Sequence, residues 1–491
     1  MKLYHAVFLC ALLGAASVSL GELGIGDPAP ELAVTKWIKG APVELAQVKG
    51  KSATVIEFWA TWCGPCIKAI PHLTKMQREF REKGVTFIGV TAKDPGNTLE
   101  QVTEFVMKQG DRMGYTVAFD GEGKTYEQFM TAAGQDGIPT AFVVDQEGRI
   151  AWIGHPMEDM DEVLHEVVAG TFDREVARKL LALAREEEEA WYHQSFGKLL
   201  EIADKRIALK PNAGSSYATK FYRLLQAGAD EEKILSTATK AVALWDQRPD
   251  KLGEFASEIA QAGESGAFGK LAQRAIERAL EQRPDDGDLL IAQFQVLSAT
   301  GENDRAVAAA VHALAVMSKQ RDIGGLSHLA KVLSDPALGK PCDDLALRAV
   351  EIAIAAEPDE PQHLLGRFQI LAVCKRDDRA AIATGEYLIE KAAGDAQLLN
   401  NFSWNLMTER ETEGRFSELA LKAAQRCDKI SEGENWMFVD TLALALFETG
   451  KVAEAIEIEE KAIKLAHEQD VHEMDIDELE LALERFRKSK E

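Results

Sequence analysis

Cysteine is scarce in this chain, and its scarcity excludes one class of fold. Six cysteines in 491 residues are too few for a scaffold held together by disulfides. Basic residues are also in the minority, since 56 lysines and arginines face 80 aspartates and glutamates, for a net charge of −24. Nucleic acid and anionic membrane surfaces are therefore poor candidate partners, because such an acidic chain offers no dominant basic surface.

Long apolar runs are lacking too, apart from one short run at the start. Residues 1–21 carry Lys2, then an apolar run from Ala6 to Ala16, then small residues up to Ser19 and Gly21. This order is typical of a secretory signal peptide, and the run is short for a membrane span. We therefore expect export to the periplasm or the extracellular space, cleavage near Ser19 or Gly21, and a mature chain without a membrane span.

Two patterns divide the rest of the chain. Over 22–172, short strand-like runs alternate with helical stretches, which predicts an α/β sandwich around a mixed sheet. Over 173–491, strand patterns disappear, and Ala, Leu, Glu and Lys dominate at helical spacing. We expect an all-α domain there.

A repeat runs through the helical part. Alanine pairs seven residues apart return at intervals of 34 to 40 residues, and Gly301 and Gly450 stand where turns between helices are expected. This period is typical of an α-solenoid built from helix pairs, and the pattern resembles tetratricopeptide repeats. An irregular helical domain with alanine-rich interfaces is the alternative. The alanine pairs are Ala272 with Ala279, Ala306 with Ala313, Ala346 with Ala353, and Ala455 with Ala462; between the last two, Ala380 with Tyr387 and Ala420 with Cys427 keep the spacing with one larger member.

The residues Trp62-Cys63-Gly64-Pro65-Cys66 stand between a predicted strand and a predicted helix. Two cysteines three positions apart at a helix start can close a disulfide. The helix N-terminus stabilises a thiolate, so we expect the pKa of the Cys63 thiol to be lower than that of a free cysteine. Cys66 lies one turn deeper, so Cys63 is the expected nucleophile and Cys66 the resolving cysteine.

Two further features fit this chemistry. Glu57 is a charged residue in the apolar run Val55 to Ala60, where burial would raise its pKa and make it a proton acceptor for Cys66. A solvated strand edge is the alternative position for Glu57. Ile138-Pro139 precedes the next strand, where a cis proline would present a backbone edge to a peptide substrate.

Together these residues resemble the thioredoxin superfamily, and specifically its TlpA/ResA-type, or redoxin, branch. The matching stretches are Phe58 to Cys66, Pro71, Ile138-Pro139-Thr140 and Gly26 to Pro30. The resemblance implies a thioredoxin-like domain over 22–172. It also implies a redox disulfide between Cys63 and Cys66, no cofactor and no metal.

The resemblance assigns roles to individual positions as well. Glu57 stands where thioredoxins carry a buried aspartate, which implies a role in proton transfer. Trp62, Ile138, Pro139 and Gly154 stand where the substrate groove is expected. One departure is Ala69, because many members of this branch carry a glutamate three residues after the second cysteine.

Three functional hypotheses remain in view. The first is an exported thiol-disulfide oxidoreductase. Gly-Pro between its cysteines resembles reducing thioredoxins more than strong oxidants, so we expect a reductase of protein disulfides. Its redox partner is not named by the sequence. The second is a tetratricopeptide-type scaffold that binds a protein ligand, with the thioredoxin-like part as a docking module. The third, a peroxidase, lacks its Thr-X-X-Cys context, because Thr61 lies only two residues before Cys63.

Cysteines outside the motif suggest no metal site. A zinc site would need two more ligands, and neither a second Cys-X-X-Cys nor a histidine pair at ligand spacing is present. Cys374 and Cys427 fall on helical stretches and are expected to be buried. Cys342 follows Pro341, which predicts a loop position, and a disulfide with Cys374 is one hypothesis for an oxidising space.

Overall fold

The computed structural model describes residues 23–262, 266–392, 394–469 and 471–489. The predicted signal peptide, 1–21, lies outside the described residues. The described chain has an α/β part followed by helices alone. Among the described helices, none combines the length and the apolar character that crossing a membrane requires.

One mixed sheet organises the α/β part, as the alternating pattern predicted. Its strands are β1 (Lys36–Lys39), β2 (Ala53–Phe58), β3 (Val85–Ala92), β4 (Thr116–Asp120), β5 (Thr140–Val144) and β6 (Ile150–Gly154). They lie in the order β1-β4-β3-β2-β5-β6. The helices here are α1 (Leu45–Val48), α2 (Gly64–Arg81), α3 (Leu99–Gln109), α4 (Lys124–Tyr126) and α5 (Met160–Ala169).

Strand β2 lies inside the sheet, parallel to β3 and antiparallel to β5. All six of its residues are buried, so apolar side chains are needed on both of its faces. Side chains alternate between the faces of a strand. Val55 accordingly packs with α2 in one core cluster, while Ile56 and Phe58 belong to a cluster on the other face.

Three further helices belong to the first compact unit, which ends at Ala229. They are α6 (Arg174–Tyr192), α7 (Phe196–Leu209) and α8 (Gly214–Gln226). Side chains of α6, of the residue that follows α7, and of α8 contact the α/β part. Arg174 pairs with Asp145 at 2.7 Å, Lys210 with Glu166 at 2.7 Å, and Ser215 donates to Glu162 at 2.6 Å. The domain boundary between residues 172 and 173 stays a prediction, and the compact unit continues beyond it.

The second compact unit begins at Asp230 and is all-helical. Helices pack mainly against their neighbours in sequence, as expected of stacked helix pairs. Its helices are α9 (Glu231–Leu244), α10 (Pro249–Gln261), α11 (Gly266–Gln282), α12 (Gly287–Ala299), α13 (Asn303–Gln320), α14 (Ile323–Leu333), α15 (Lys340–Ala356), α16 (Pro361–Gln369), α17 (Asp378–Lys391), α18 (Ala396–Thr408), α19 (Ser417–Ile430), α20 (Trp436–Glu448), α21 (Val452–Glu468) and α22 (Glu473–Lys488).

The alanine repeat marks one member of each helix pair. All eight alanines of the four pairs are buried, on α11, α13, α15 and α21. A small side chain at both positions lets a neighbouring helix approach closely. Gly301 and Gly450 have φ of +76° and +79° in the turns before α13 and α21, a conformation that favours glycine. The expected all-α architecture is therefore confirmed.

Candidate active site

The two cysteines of the motif lie at the N-terminus of α2. Cys63 is the N-cap residue, and the Cys66 backbone N–H donates to its Sγ at 3.2 Å. Pro65 occupies the first turn of the helix, a position that tolerates proline because its missing N–H would have no helical partner. Cys63 and Cys66 are joined in a disulfide. The first turn of α2 therefore holds both sulfurs at the positive end of the helix dipole.

The two sulfurs differ in their surroundings. Cys66 is completely buried and Cys63 keeps 4% of its surface exposed, whereas the neighbouring Trp62 is 59% exposed. Ala69, one turn further along α2, is also fully buried. A partner molecule would therefore reach Cys63 before Cys66.

The loop before β5 lies directly against Cys63. The carbonyl oxygen of Ile138 is 3.7 Å from Cys63 Sγ, and the Ile138–Pro139 peptide bond is cis, as predicted. Trp62 and Ile138 both line a pocket of about 350 Å³ beside the disulfide. The structure therefore brings Cys63, Trp62, Ile138 and Pro139 together at one surface.

Gly154, the remaining predicted groove residue, lies at the end of β6. It pairs with Ala141 of β5, two residues beyond Pro139. Gly154 is thus close to the cis-proline loop because β6 pairs with β5 at Ala141. It does not lie in the pocket that Trp62 and Ile138 line.

Glu57 lies in the middle of the sheet and not at a solvated edge. It pairs with Gly89 on β3 and with Ala141 on β5, and it is only 1% exposed. Alternation along β2 places it on the same face as Val55, the face that α2 covers. Burial raises the pKa of the Glu57 carboxyl to about 8. It is therefore largely protonated at neutral pH in the oxidised protein.

Other polar groups surround this carboxyl. Neither oxygen of Glu57 has a hydrogen-bond partner within the described residues, and the same is true of Trp59 Nε1 and the Tyr115 hydroxyl. Burial and the charge of Glu57 both raise the pKa of Tyr115. A methyl group at Gly89 would lie 3.0 Å from Trp59 Nε1 and 3.0 Å from the Tyr115 ring. Glycine at this position therefore leaves room for Trp59 and Tyr115 next to Glu57.

Asn97 fixes the loop before Cys63, and it is not among the site residues predicted from the sequence. Asn97 is fully buried, and its side-chain oxygen accepts from the Thr61 backbone N–H at 3.0 Å and from the Thr61 hydroxyl at 2.9 Å. Its amide donates to the Thr91 hydroxyl at 2.6 Å and to the Ala92 carbonyl at 2.7 Å. A single asparagine in a loop carries no motif, so nothing in the sequence pointed to it.

Replacing Asn97 with alanine is expected to cost about 3 kcal/mol of unfolding free energy, because buried hydrogen-bonding groups lose their partners. Disulfide exchange at Cys63 should slow as well, because the Thr61–Trp62 loop is no longer held. Urea denaturation and an exchange assay would measure the two effects. Thr98→Ala is the matched control, because Thr98 caps α3 and its loss should cost about 1 kcal/mol. Equal costs for the two variants would contradict this role of Asn97.

The remaining described cysteines have surroundings that make them unreactive. Cys342, Cys374 and Cys427 are free. Burial is the main cause that raises the pKa of all three thiols, to about 11 for Cys374 and about 12 for Cys427. The predicted loop position of Cys342 was wrong, since it lies in the first turn of α15, after Pro341. No group of three or more potential metal ligands occurs in the described part of the chain.

Comparisons with known proteins agree with this site. Residues 25–153 match the model of the AhpC/TSA family. Protein FixW of Rhizobium leguminosarum is 30% identical over 197 residues, which cover 38% of this chain and 88% of that protein. The thiol-disulfide oxidoreductase ResA of Bacillus thuringiensis is 33% identical over 156 residues, covering 30% of this chain and 84% of ResA.

One solved structure is similar to part of this chain. The thiol:disulfide interchange protein of the thioredoxin family from Chlorobium tepidum is 27% identical, with a TM-score of 0.25. The match covers 30% of this chain and 98% of that one.

A dithiol motif at a helix N-terminus, beside a cis-proline loop in a thioredoxin-like sheet, defines a thioredoxin-fold oxidoreductase. The two curated relatives named above narrow this class to one family, because each is at least 30% identical and matched over more than four fifths of its length. The chain belongs to the family of thiol-disulfide oxidoreductases that includes ResA.

Proposed function

We propose that this protein is an exported reductase of protein disulfides, with Cys63 as nucleophile and Cys66 as resolving cysteine. The observation that carries the proposal is the Cys63–Cys66 disulfide at the N-terminus of α2, 3.7 Å from the Ile138 carbonyl. Export is supported by the pattern of residues 1–21, and the reducing direction by Gly64-Pro65 between the cysteines.

The reaction balances as two exchanges. In the reduced protein, the Cys63 thiolate attacks one sulfur of a substrate disulfide, forms a mixed disulfide, and releases the other substrate sulfur as a thiolate. Cys66 then loses its proton and attacks Cys63 Sγ, which releases the second substrate sulfur and forms the Cys63–Cys66 disulfide. The substrate gains two electrons, and the dithiol of the protein is oxidised to a disulfide. A redox partner must then reduce this disulfide before the next turnover.

Glu57 is proposed to accept the proton of Cys66 in the second exchange. It lies on the face of β2 that α2 covers, and burial raises its pKa to about 8. A base must be deprotonated to accept a proton, so the second exchange should accelerate as pH rises toward this value. Position 69, one turn further along α2, is alanine and offers no carboxyl. Glu57 is therefore proposed to be the proton acceptor without help from a glutamate at that position.

The substrate is proposed to lie across the loop before β5. Trp62 offers an exposed ring, and Ile138 and Pro139 offer a backbone edge beside Cys63. Gly154 borders the same end of the sheet next to Ala141. Recognition through the backbone suits a range of extended protein segments.

Insulin reduction tests this function. The reduced protein, regenerated by dithiothreitol, should precipitate insulin chains faster than dithiothreitol alone, and Cys63→Ser should reduce the rate to the uncatalysed level. Absence of catalysis by the unaltered chain, or full catalysis by Cys63→Ser, would overturn the proposal.

The second compact unit supports a second role, as a protein-binding scaffold of tetratricopeptide type. Stacked helix pairs offer an extended surface for a partner, and buried alanines at matched positions support this type of repeat. In this view the helical repeats after residue 173 recruit the protein whose disulfide the thioredoxin-like domain of residues 22–172 reduces. A fragment of residues 23–229, which retains the first compact unit, should reduce insulin as the full chain does. Slower reduction by the fragment would show that the helices contribute to the exchange itself.

A further inference from the structure

Three helices of the second unit align side chains along one surface. On α18, Gln397, Asn400, Asn401 and Trp404 follow the spacing that places residues on one helix face. They line a pocket of about 450 Å³ together with residues of α20 and α22. The alternate helices α18, α20 and α22 thus each contribute side chains to the same pocket.

Aromatic and apolar surface is exposed at this pocket. Trp404 is 41% exposed and Met437 is 43% exposed, and Trp436 lies beside Met437 at the start of α20. Contiguous exposed apolar surface rimmed by polar residues is typical of an interaction site. An indole ring also attracts a cation to its face.

Negative charge accompanies the aromatic rings. Asp440 of α20 and Asp475 and Glu478 of α22 line the pocket, and no lysine, arginine or histidine is among the described residues that line it. Burial raises the pKa of both Asp440 and Glu459, and the charge of Asp440 together with its hydrogen bond raises the pKa of Glu459 further, to about 9. Glu459 therefore keeps the proton and Asp440 carries the charge.

Arg485 is the cation on α22 whose charge acts on Asp440. Its guanidinium lies over the rings of Phe447 and Phe486 and 4.0 Å from Glu448. Its charge lowers the pKa of Asp440 without placing a donor in the pocket lining. The carboxylates of the pocket therefore keep a net negative field.

Asn400 supplies an independent observation. It is only 9% exposed, it lines the pocket, and its side-chain oxygen has no hydrogen-bond partner in the described chain. A buried amide oxygen without a partner costs free energy that an incoming N–H donor would recover. Asn400 is therefore an unsatisfied acceptor on a residue that lines the same pocket as the carboxylates and the aromatic rings.

We propose that this acidic aromatic pocket, formed by Asn400, Trp404, Trp436, Asp440, Asp475 and Glu478, binds the cationic side chain of an extended basic peptide segment in a protein partner. The charged end donates to Asn400 and the carboxylates, and the indole rings cover its aliphatic stem. This inference gives a partner chemistry to the scaffold role proposed above, and it does not depend on the dithiol.

Calorimetric titration of the full chain with a capped nonapeptide of alternating lysine and alanine tests the proposal. Asp475→Asn with Glu478→Gln should weaken binding by about tenfold or more. The control is Asp477→Asn with Glu480→Gln, which makes the same charge change on α22 at exposed positions outside the pocket. The control should bind within about twofold of the unaltered chain, which is a difference below 1 kcal/mol.

Two matched peptides complete the design. Replacing each lysine by norleucine keeps the stem and removes the charge, and replacing it by glutamate reverses the charge; both peptides should fail to bind. If the control pair weakens binding equally, the lysine peptide is attracted by the acidic protein in general and the proposal is overturned. Undiminished binding of the norleucine peptide would also overturn it, because that peptide carries no charge. Cys63→Ser should bind the lysine peptide normally, so failure here and failure of disulfide exchange are separate results.

Discussion

Replacing Cys66 with serine is expected to arrest the protein as a mixed disulfide with its substrate. Cys63 can still attack, because it keeps its place as N-cap of α2. The second exchange cannot follow, since the buried position one turn deeper no longer offers a thiol. Turnover of insulin should fall to the uncatalysed level, and non-reducing electrophoresis should show the protein joined to an insulin chain.

Cys427→Ser is the matched control for this experiment. Cys427 is buried in α19, and its Sγ donates to the Ala396 carbonyl at 3.1 Å, away from the motif. This variant should turn over insulin normally and form no adduct. Cys63→Ser combined with Cys66→Ser should also form none. An adduct in that double variant would show that another cysteine attacks, contrary to the proposed roles.

Glu57→Gln is expected to affect stability and activity in opposite directions. The folded carboxyl has a pKa of about 8 against an ordinary value of 4.5, so between these values the unfolded chain releases a proton that the folded chain retains. Glu57 therefore lowers the free energy of unfolding progressively as pH rises from about 4.5 to about 8. Below pH 4.5 it has no such effect, because the carboxyl is protonated in both states. Glutamine removes this cost and should stabilise the oxidised protein by about 3 kcal/mol at pH 7 and little at pH 4.

The same substitution removes the proposed proton acceptor of Cys66. A positioned general base contributes about 100-fold or more, and only about a tenth of Glu57 is ionised at pH 7, so resolution of the mixed disulfide should slow about tenfold. The effect should grow toward pH 8. Urea denaturation and stopped-flow measurements at each pH would separate the two consequences.

Glu82→Gln is the control for both consequences, because Glu82 is exposed at the C-terminal end of α2. It should change stability by less than about 0.5 kcal/mol and leave the exchange rate unchanged. If Glu57→Gln neither stabilises at pH 7 nor slows resolution, the carboxyl is solvated or uninvolved, and its proposed role is wrong.

Local chemistry made part of this structure predictable. The Cys-X-X-Cys spacing and the proline before β5 act through neighbours in sequence, so their places at a helix start and before a strand followed from the pattern. The apolar run around Glu57 predicted burial with a strand edge as the alternative, and the pairing of β2 with β3 and β5 decides between them. Gly301 and Gly450 were predictable for the same reason, because a left-handed turn between helices favours glycine.

Other elements depend on distant contacts or on ambiguous local signals. β1 reads Lys-Trp-Ile-Lys and is a short strand with mixed polarity, which alternation alone identifies poorly. Asn97 acts through hydrogen bonds to Thr61, which lies 36 positions away. Cys342 was expected in a loop because proline often ends helices, yet Pro341 lies in the first turn of α15, where proline is tolerated.

The rate at which iodoacetamide alkylates Cys63 in the reduced chain, measured as a function of pH, tests the central claim most directly. Peptide mapping would assign the modified sulfur. If the N-terminus of α2 stabilises the Cys63 thiolate, Cys63 should react at pH values about one to two units below those that a free thiol requires, and before the other cysteines. Alkylation of Cys63 with the pH dependence of glutathione, or zinc retained between Cys63 and Cys66, would contradict the account.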